Sequence, residues 1–174
     1  VRMNMLKLLC PDIYISSIYD MDFEYLQKKN IKGILIDLDN TLLPWNGIKV
    51  DTDVMEWINA LKRRGFSICI VSNNKARRIK KCAKMLDIPA VWGHFKPFRK
   101  AFIKGMSILG TTPDQTVVVG DQIFTDIFGA KRMGILAILV KPISDQELLW
   151  TKLVRKLELR VLHKLECGGR ISNM

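Results

Sequence analysis

Apolar and polar positions follow two different periods along the chain, and the period switches repeatedly. "IKGILID" (31–37) is a nearly unbroken apolar run that ends on a carboxylate, as a strand covered on both faces would read. "DVMEWINALKRRG" (53–65) instead puts Val54, Trp57, Ile58 and Leu61 at helical spacing, with Asp53 and Glu56 in capping-box register and Gly65 as a stop. "FSICIV" (66–71) predicts a second strand. "KARRIKKCAKML" (75–86) predicts a helix with Ile79, Ala83 and Leu86 inward and its basic residues outward. A short strand near "PAVW" (89–92) and a helix at about 98–109 follow. "TVVVG" (116–120) and "ILAILV" (135–140) predict strands on either side of a helix over "FTDIFGAKRMG" (124–134). A long amphipathic helix is expected at about 144–166. Apolar strands alternating with helices imply an α/β fold, a parallel sheet with helices on both faces, expected to form one domain over 1–174.

Composition adds limits. The chain has 174 residues and is 48% hydrophobic, enough for a packed core. Its longest apolar run, "ILAILV", has six residues, against the ~18 that a spanning helix requires. The first ten residues lack a signal-peptide core, so the expected location is cytoplasmic, either free or peripheral at a membrane. Cys10, Cys69, Cys82 and Cys167 form no CxxC pair and are expected to be incidental thiols. Charge is more informative. The formal net charge is +11, and residues 75–104 hold ten Lys/Arg against Asp87 alone, a local net of +9. Such a stretch is either a solvated face or a surface for a polyanion.

Chemistry gathers where ligands of a parallel sheet bind, beyond the carboxyl ends of the strands. Asp37 and Asp39 follow the first predicted strand; Ser72, Asn73 and Asn74 follow the second. Lys96 follows the third, and Asp121 and Asp126 the fourth. Two carboxylates at i and i+2 can share a side of an extended chain, one attacking while the other handles protons. Asp37 fits the nucleophile of an aspartyl-phosphate route, Asp39 the acid and then the base, and Asp121 a ligand for Mg²⁺. A backbone carbonyl near Asp39 offers a further metal oxygen. Four carboxylates and a phosphate dianion carry more negative charge than Mg²⁺ and Lys96 return. Hydrogen-bond donors must therefore help, and Ser72 with the amides of Asn73 and Asn74 is placed to do so.

In these stretches the sequence resembles the haloacid-dehalogenase-like (HAD) phosphatases. "DLDNT" (37–41) matches their DxDxT motif, Ser72 their second-motif hydroxyl, Lys96 their third-motif lysine and "GDQIFTD" (120–126) their acidic fourth motif. The resemblance implies a Rossmann-like fold, Mg²⁺ dependence and an aspartyl-phosphate intermediate. It implies that Thr41 supports the nucleophile loop and that Ser72, Asn73 and Thr41 bind the substrate phosphate. It also implies that Asp126 orients Lys96 or joins the metal shell, giving a metal set of Asp37, Asp39, Asp121 and Asp126. "PDIYISSIYDMDFEYL" (11–26), "DLDNTLLPW" (37–45), "VSNN" (71–74), "KPFRKAF" (96–102) and "VVGDQIFTDIFGAKRMGILAILVKP" (118–142) resemble the YqeG family of HAD subfamily III. Its eukaryotic relatives include phosphatidylglycerophosphate phosphatases. The likeness runs over about residues 5–165. It departs at "WGHFKP" (92–97), which is less basic than that family implies and where His94 reads as an ordinary rim residue.

Spacing then bears on the substrate. Asp37 and Ser72 are 35 positions apart, and Ser72 and Lys96 are 24 apart, so one helix and one strand fill each gap and no cap domain fits. An open site suits a phosphate displayed on something large. Phosphatidylglycerophosphate at an anionic membrane surface is the expected substrate. A polynucleotide end, a phosphoprotein and a non-catalytic binding role are the alternatives. "ELLWTKLVRKLELRVLHKLE" (147–166) carries an apolar stripe of Leu149, Trp150, Leu153, Leu157, Val161 and Leu165 beside basic residues. That pattern suits either packing on the domain or contact with a membrane, and His163 reads as a plain surface residue.

Overall fold

The structure is a computed structural model and describes residues 5–45, 47, 50–144 and 172–173. The terminal helix expected at about 144–166 lies outside the described residues beyond Ser144, as do His163 and Cys167. The elements in chain order are α1 (Met5–Leu8), β1 (Ile13–Ile15), α2 (Phe23–Lys28), β2 (Gly33–Ile36), α3 (Thr52–Arg63), β3 (Ser67–Val71) and α4 (Ala76–Leu86). They continue with β4 (Ala90–Val91), α5 (Arg99–Leu109), β5 (Thr116–Gly120), α6 (Phe128–Lys131), β6 (Leu136–Val140) and β7 (Ser172–Asn173). The strands form one sheet in the order β4-β3-β2-β5-β6-β1-β7, every pairing parallel.

The pleat divides the core in two. Ile34, Ile36, Ile68, Ile70, Val117 and Val119 pack to one side with Val54, Trp57, Ile58 and Leu61 of α3 and Ile79, Cys82 and Leu86 of α4. Leu35, Cys69, Val71 and Val118 pack to the other with Ala101, Phe102 and Met106 of α5 and Ala130 of α6. Both faces are therefore dry, which is why β2 and β5 are apolar throughout rather than alternating. On α4 Ile79 and Leu86 are buried as expected and Ala83 packs half-buried against the core, while Cys82 joins the buried face. The α3 helix begins earlier than the Asp53 box suggested. Asp51 is its N-cap, without a side-chain capping bond. It stops as expected: Gly65 takes φ +86°, and the Phe66 amide donates to the Leu61 carbonyl at 3.1 Å.

Two connections position the chemistry. From β2 the chain winds outward through β3 to β4, then returns through α5 to β5 on the opposite side of β2. The order reverses between β2 and β5, and the crevice beyond their carboxyl ends is the ligand position of such a sheet. Asp37 leaves β2 there and Asp121 leaves β5. Among the described residues no cap domain interrupts the path from Asp37 to Lys96.

Candidate active site

Each site residue is set by the strand it follows. The Asp37 amide still donates to the Val119 carbonyl at 2.9 Å, so sheet pairing fixes its backbone. Asn40 then turns the chain with φ +62°, a conformation Asn tolerates better than most residues. Its side-chain oxygen accepts from the Trp45 amide at 3.2 Å and from Ser144 Oγ at 3.1 Å, which ties down the loop. At the end of β5, Gly120 has no room for a side chain: a Cβ there would collide with the Asp126 carboxylate. Asp126 folds back over the strand end from an irregular, wide helical turn (Ile123–Ile127), and Oδ2 accepts from the Gln122 amide at 3.2 Å. That turn replaces the first part of the continuous 124–134 helix expected from sequence.

The resulting site is buried and acidic. Asp37, Asp121 and Asp126 are all buried and bring carboxylate oxygens within 4.8 Å of one another. Lys96, also buried, sets its ammonium 2.5 Å from Asp37 Oδ1 and 2.6 Å from Asp126 Oδ1. Thr41 Oγ1 donates to Asp121 Oδ1 at 3.3 Å. Ser72 is buried beside them, its Oγ accepting from the Asn74 amide at 3.2 Å. Asn73 serves another purpose: it brackets the Lys96 peptide, accepting from its amide at 2.7 Å and donating to its carbonyl at 3.0 Å. Its side chain thus fixes the Lys96 peptide.

Protonation follows from burial. Desolvation pushes the Asp37 carboxyl up to about 8; Asp126 and Asp121 add to the rise, and Lys96 opposes it. For Lys96, desolvation works against its charge, but Asp126 and Asp37 outweigh it and hold the ammonium above the usual lysine range. Three buried carboxyl groups face one ammonium, so ionising all three leaves an excess of negative charge. A divalent cation balances it, and an all-oxygen donor set suits a hard ion. The residues present therefore fit a metal at Asp37, Asp121 and Asp126.

Asp39 is separated from that set. Its Oδ1 accepts from Arg78 Nε at 2.9 Å and Nη2 at 2.5 Å, and its Oδ2 accepts from Asn74 Nδ2 at 2.6 Å. The carboxylate belongs to the rim of the site rather than to the expected metal cluster, and Arg78 compensates its charge. Arg78 also donates to the Gly47 carbonyl at 2.6 Å, so one guanidinium fastens Asp39 and the loop after it. The sequence pattern of 75–86 puts Arg78 among that helix's outward basic residues and gives Asn74 only a backbone role. The available signal was position: Asn74 and Arg78 lie four apart across the start of α4, at the carboxyl end of β3.

Arg78→Lys is expected to lower turnover about tenfold, because an ammonium cannot reproduce the fork on Asp39. The loss should be greater for alkyl than for aryl phosphates, since a poor leaving group depends more on a well-placed acid. Steady-state rates on both substrate types check this, and equal losses would assign Arg78 a purely structural role.

The family model for haloacid dehalogenase-like hydrolases matches residues 45–134. The chain is 36% identical to the probable phosphatase YqeG of Bacillus subtilis, over 95% of this chain and 96% of that one. It is 26% identical to the chloroplastic/mitochondrial phosphatidylglycerophosphate phosphatase 1 of Arabidopsis thaliana over 91% of its length, spanning 48% of that longer protein. Among solved structures, the cobalt-bound deoxy-D-mannose-octulosonate 8-phosphate phosphatase of Haemophilus influenzae shares the fold. The TM-score is 0.51 at 16% identity, covering 78% of this chain and 89% of that one.

Proposed function

The chain belongs to the haloacid dehalogenase-like hydrolases and is a phosphoric monoester hydrolase, and from that premise we propose a Mg²⁺-dependent phosphatase that works through an aspartyl-phosphate on Asp37. The observation that carries this reading is the buried Asp37 carboxylate, met by Lys96 at 2.5 Å and flanked by Asp121 and Asp126 at the switch point of the sheet. Mg²⁺ held by these three carboxylates supplies positive charge against the transferring phosphoryl group and favours the ionised form of Asp37.

In the first step an Asp37 oxygen attacks phosphorus, the new P–O bond forms and the ester P–O bond breaks. Asp39 is the acid of this step and delivers a proton to the leaving alkoxide, with Arg78 and Asn74 holding its carboxyl group in place. In the second step Asp39 accepts a proton from water, whose oxygen attacks phosphorus, and inorganic phosphate leaves Asp37 ionised again. Lys96, the Ser72 hydroxyl and the backbone amides of Asn73 and Asn74 neutralise the phosphoryl oxygens. Thr41 keeps Asp121 in place through its hydroxyl.

The substrate we favour is a lipid phosphate monoester of the phosphatidylglycerophosphate type, met by a cytoplasmic protein that is peripheral at the membrane. Support comes from the likeness to the Arabidopsis phosphatase, the uncapped site and the basic charge. No helix of the described residues is long and apolar enough to cross a membrane, so such a substrate must be met at the surface. The same charge would suit a polynucleotide end.

Phosphate release by metal-stripped protein tests both levels of the reading. Turnover should require added Mg²⁺. It should be about tenfold or more efficient, by kcat/KM, on phosphatidylglycerophosphate in mixed micelles than on a 5′-phosphorylated oligonucleotide or a phosphopeptide. Preference for either alternative overturns the lipid, and Mg²⁺-independent turnover overturns the metal.

A further inference from the structure

Three large aromatic side chains stand in solvent within seven residues of one another, on the loop from β4 to α5 that also delivers Lys96. Trp92 is 42% exposed, Phe95 58% and Phe98 66%. Core packing does not explain them, because α5 buries Ala101, Phe102 and Met106 while Phe98 caps it from outside. The loop is also fixed rather than loose: Asn73 brackets the Lys96 peptide, and the Phe98 amide donates to the Phe95 carbonyl at 2.9 Å. On the other side of Asp37 in the strand order, Ile143 is 49% exposed after β6, its amide bonded to the Asn40 carbonyl at 3.0 Å. The catalytic strand ends thus sit between two exposed apolar projections.

Charge surrounds the larger one. Lys80 lies over the Trp92 ring at 4.7 Å from its centroid, and Arg99 and Lys100 follow Phe98 directly on exposed positions. Exposed Trp and Phe interleaved with Lys and Arg match the two layers of an anionic membrane interface. The rings enter the headgroup and upper acyl region while the cations meet lipid phosphates. A polynucleotide would need stacking platforms along a charged track; here the aromatics cluster at one edge and an aliphatic side chain faces them across the site.

We propose that the β4–α5 loop is a membrane-docking rim, in which Trp92, Phe95 and Phe98 insert into an anionic bilayer surface, Lys80, Arg99 and Lys100 contact its phosphates, and the open strand ends are turned toward the lipid headgroups. The proposal rests on the lipid reading above and deepens it by naming the contact surface. Arg78 is committed to Asp39 and takes no part in the rim.

The test uses the full chain and vesicles of phosphatidylglycerol and phosphatidylcholine, which are not substrates, so docking is read apart from turnover. Wild type should co-sediment with these vesicles at low salt and bind less at physiological salt. The triple variant Trp92→Ala/Phe95→Ala/Phe98→Ala should bind about tenfold or more weakly, and Arg99→Glu/Lys100→Glu should match it. Both variants should keep turnover on a soluble aryl phosphate within about twofold while losing turnover on micellar lipid phosphate. Undiminished vesicle binding by both variants overturns the rim even if the lipid is the substrate. Rim-dependent binding without any turnover of lipid phosphate upholds the rim and overturns the substrate instead. A rim variant that loses self-association or oligonucleotide binding, with vesicle binding unchanged, assigns the patch to a subunit or nucleic-acid contact and overturns the proposal.

Discussion

Asp37→Asn is expected to abolish phosphate release, by about 10⁴-fold or more, the scale of removing a covalent nucleophile. The amide is nearly isosteric but cannot form the acyl phosphate. Acid-quenched wild type should carry substrate-derived phosphate on the peptide spanning residue 37, and the variant none. The fold should survive for an electrostatic reason. With the carboxyl pushed up to about 8, metal-free wild type at neutral pH holds Asp37 largely in its neutral form, which Asn imitates. The sign follows from a folded value above the unfolded one. The neutral carboxyl contributes fully below about 4, and that stability is lost as pH rises toward 8. Metal-free Asp37→Asn protein should therefore gain on wild type across that window in thermal melts. Near-normal Mg²⁺-dependent turnover by the variant would remove the covalent mechanism.

What sequence could reveal of this site divides by distance along the chain. Apolar runs such as "GILI" and "TVVV" announce buried strands because both faces of the sheet are covered, and the polar residues that end them announce the site. Asp37, Asp121 and Asp126 meet because β2 and β5 are neighbours, and Lys96 reaches them from the end of β4, beyond β3; alternation of strands and helices predicts a parallel sheet with its ligands at these strand ends, but not this order. Shorter elements carry less signal. β1 has three residues and α2 six, and α2 depends on Asp22 accepting from the Tyr25 amide at 2.9 Å rather than on a long apolar face. Local patterns also compete: Asp53 with Glu56 reads as a cap, yet the helix starts from Asp51, just after Val50 packs against the core.

The harder feature was the fate of Asp39. A spacing of two suggests that Asp37 and Asp39 share one side, but the left-handed turn at Asn40 and the pull of Arg78 give the second carboxylate its own partners. Arg78 lies 39 positions away, and nothing in its basic neighbourhood marks it as different from Arg77 or Lys80. Only tertiary packing of α4 beside the loop makes it so. What results is a buried carboxylate trio that fits a metal and a separate Asp39 held by an arginine, so the two carboxylates of one short motif have different surroundings.

Lys96→Met is expected to separate the charge balance of the site from its chemistry. The methionine keeps length and apolar stem but leaves Asp37 and Asp126 without their ammonium in a buried setting. Breaking such a pair costs about 3–5 kcal/mol. Wild-type Lys96 holds its proton above the usual 10.5, so its contribution is constant at lower pH and is lost only above that value. The variant's deficit should appear as a lower melting temperature than wild type in metal-free protein at neutral pH, where the buried carboxyl groups lack their counter-ion. Mg²⁺ should repair it, because the three ligands remain and now lack their competing cation. The rise in melting temperature on adding Mg²⁺ should exceed that of wild type. Turnover should stay about 10²–10³-fold down even at saturating Mg²⁺, since a stabiliser of the transferring phosphoryl oxygens is gone. Recovery of both stability and rate would reduce Lys96 to a counter-ion. Failure of Mg²⁺ to stabilise either protein would dismiss Asp37, Asp121 and Asp126 as a metal site.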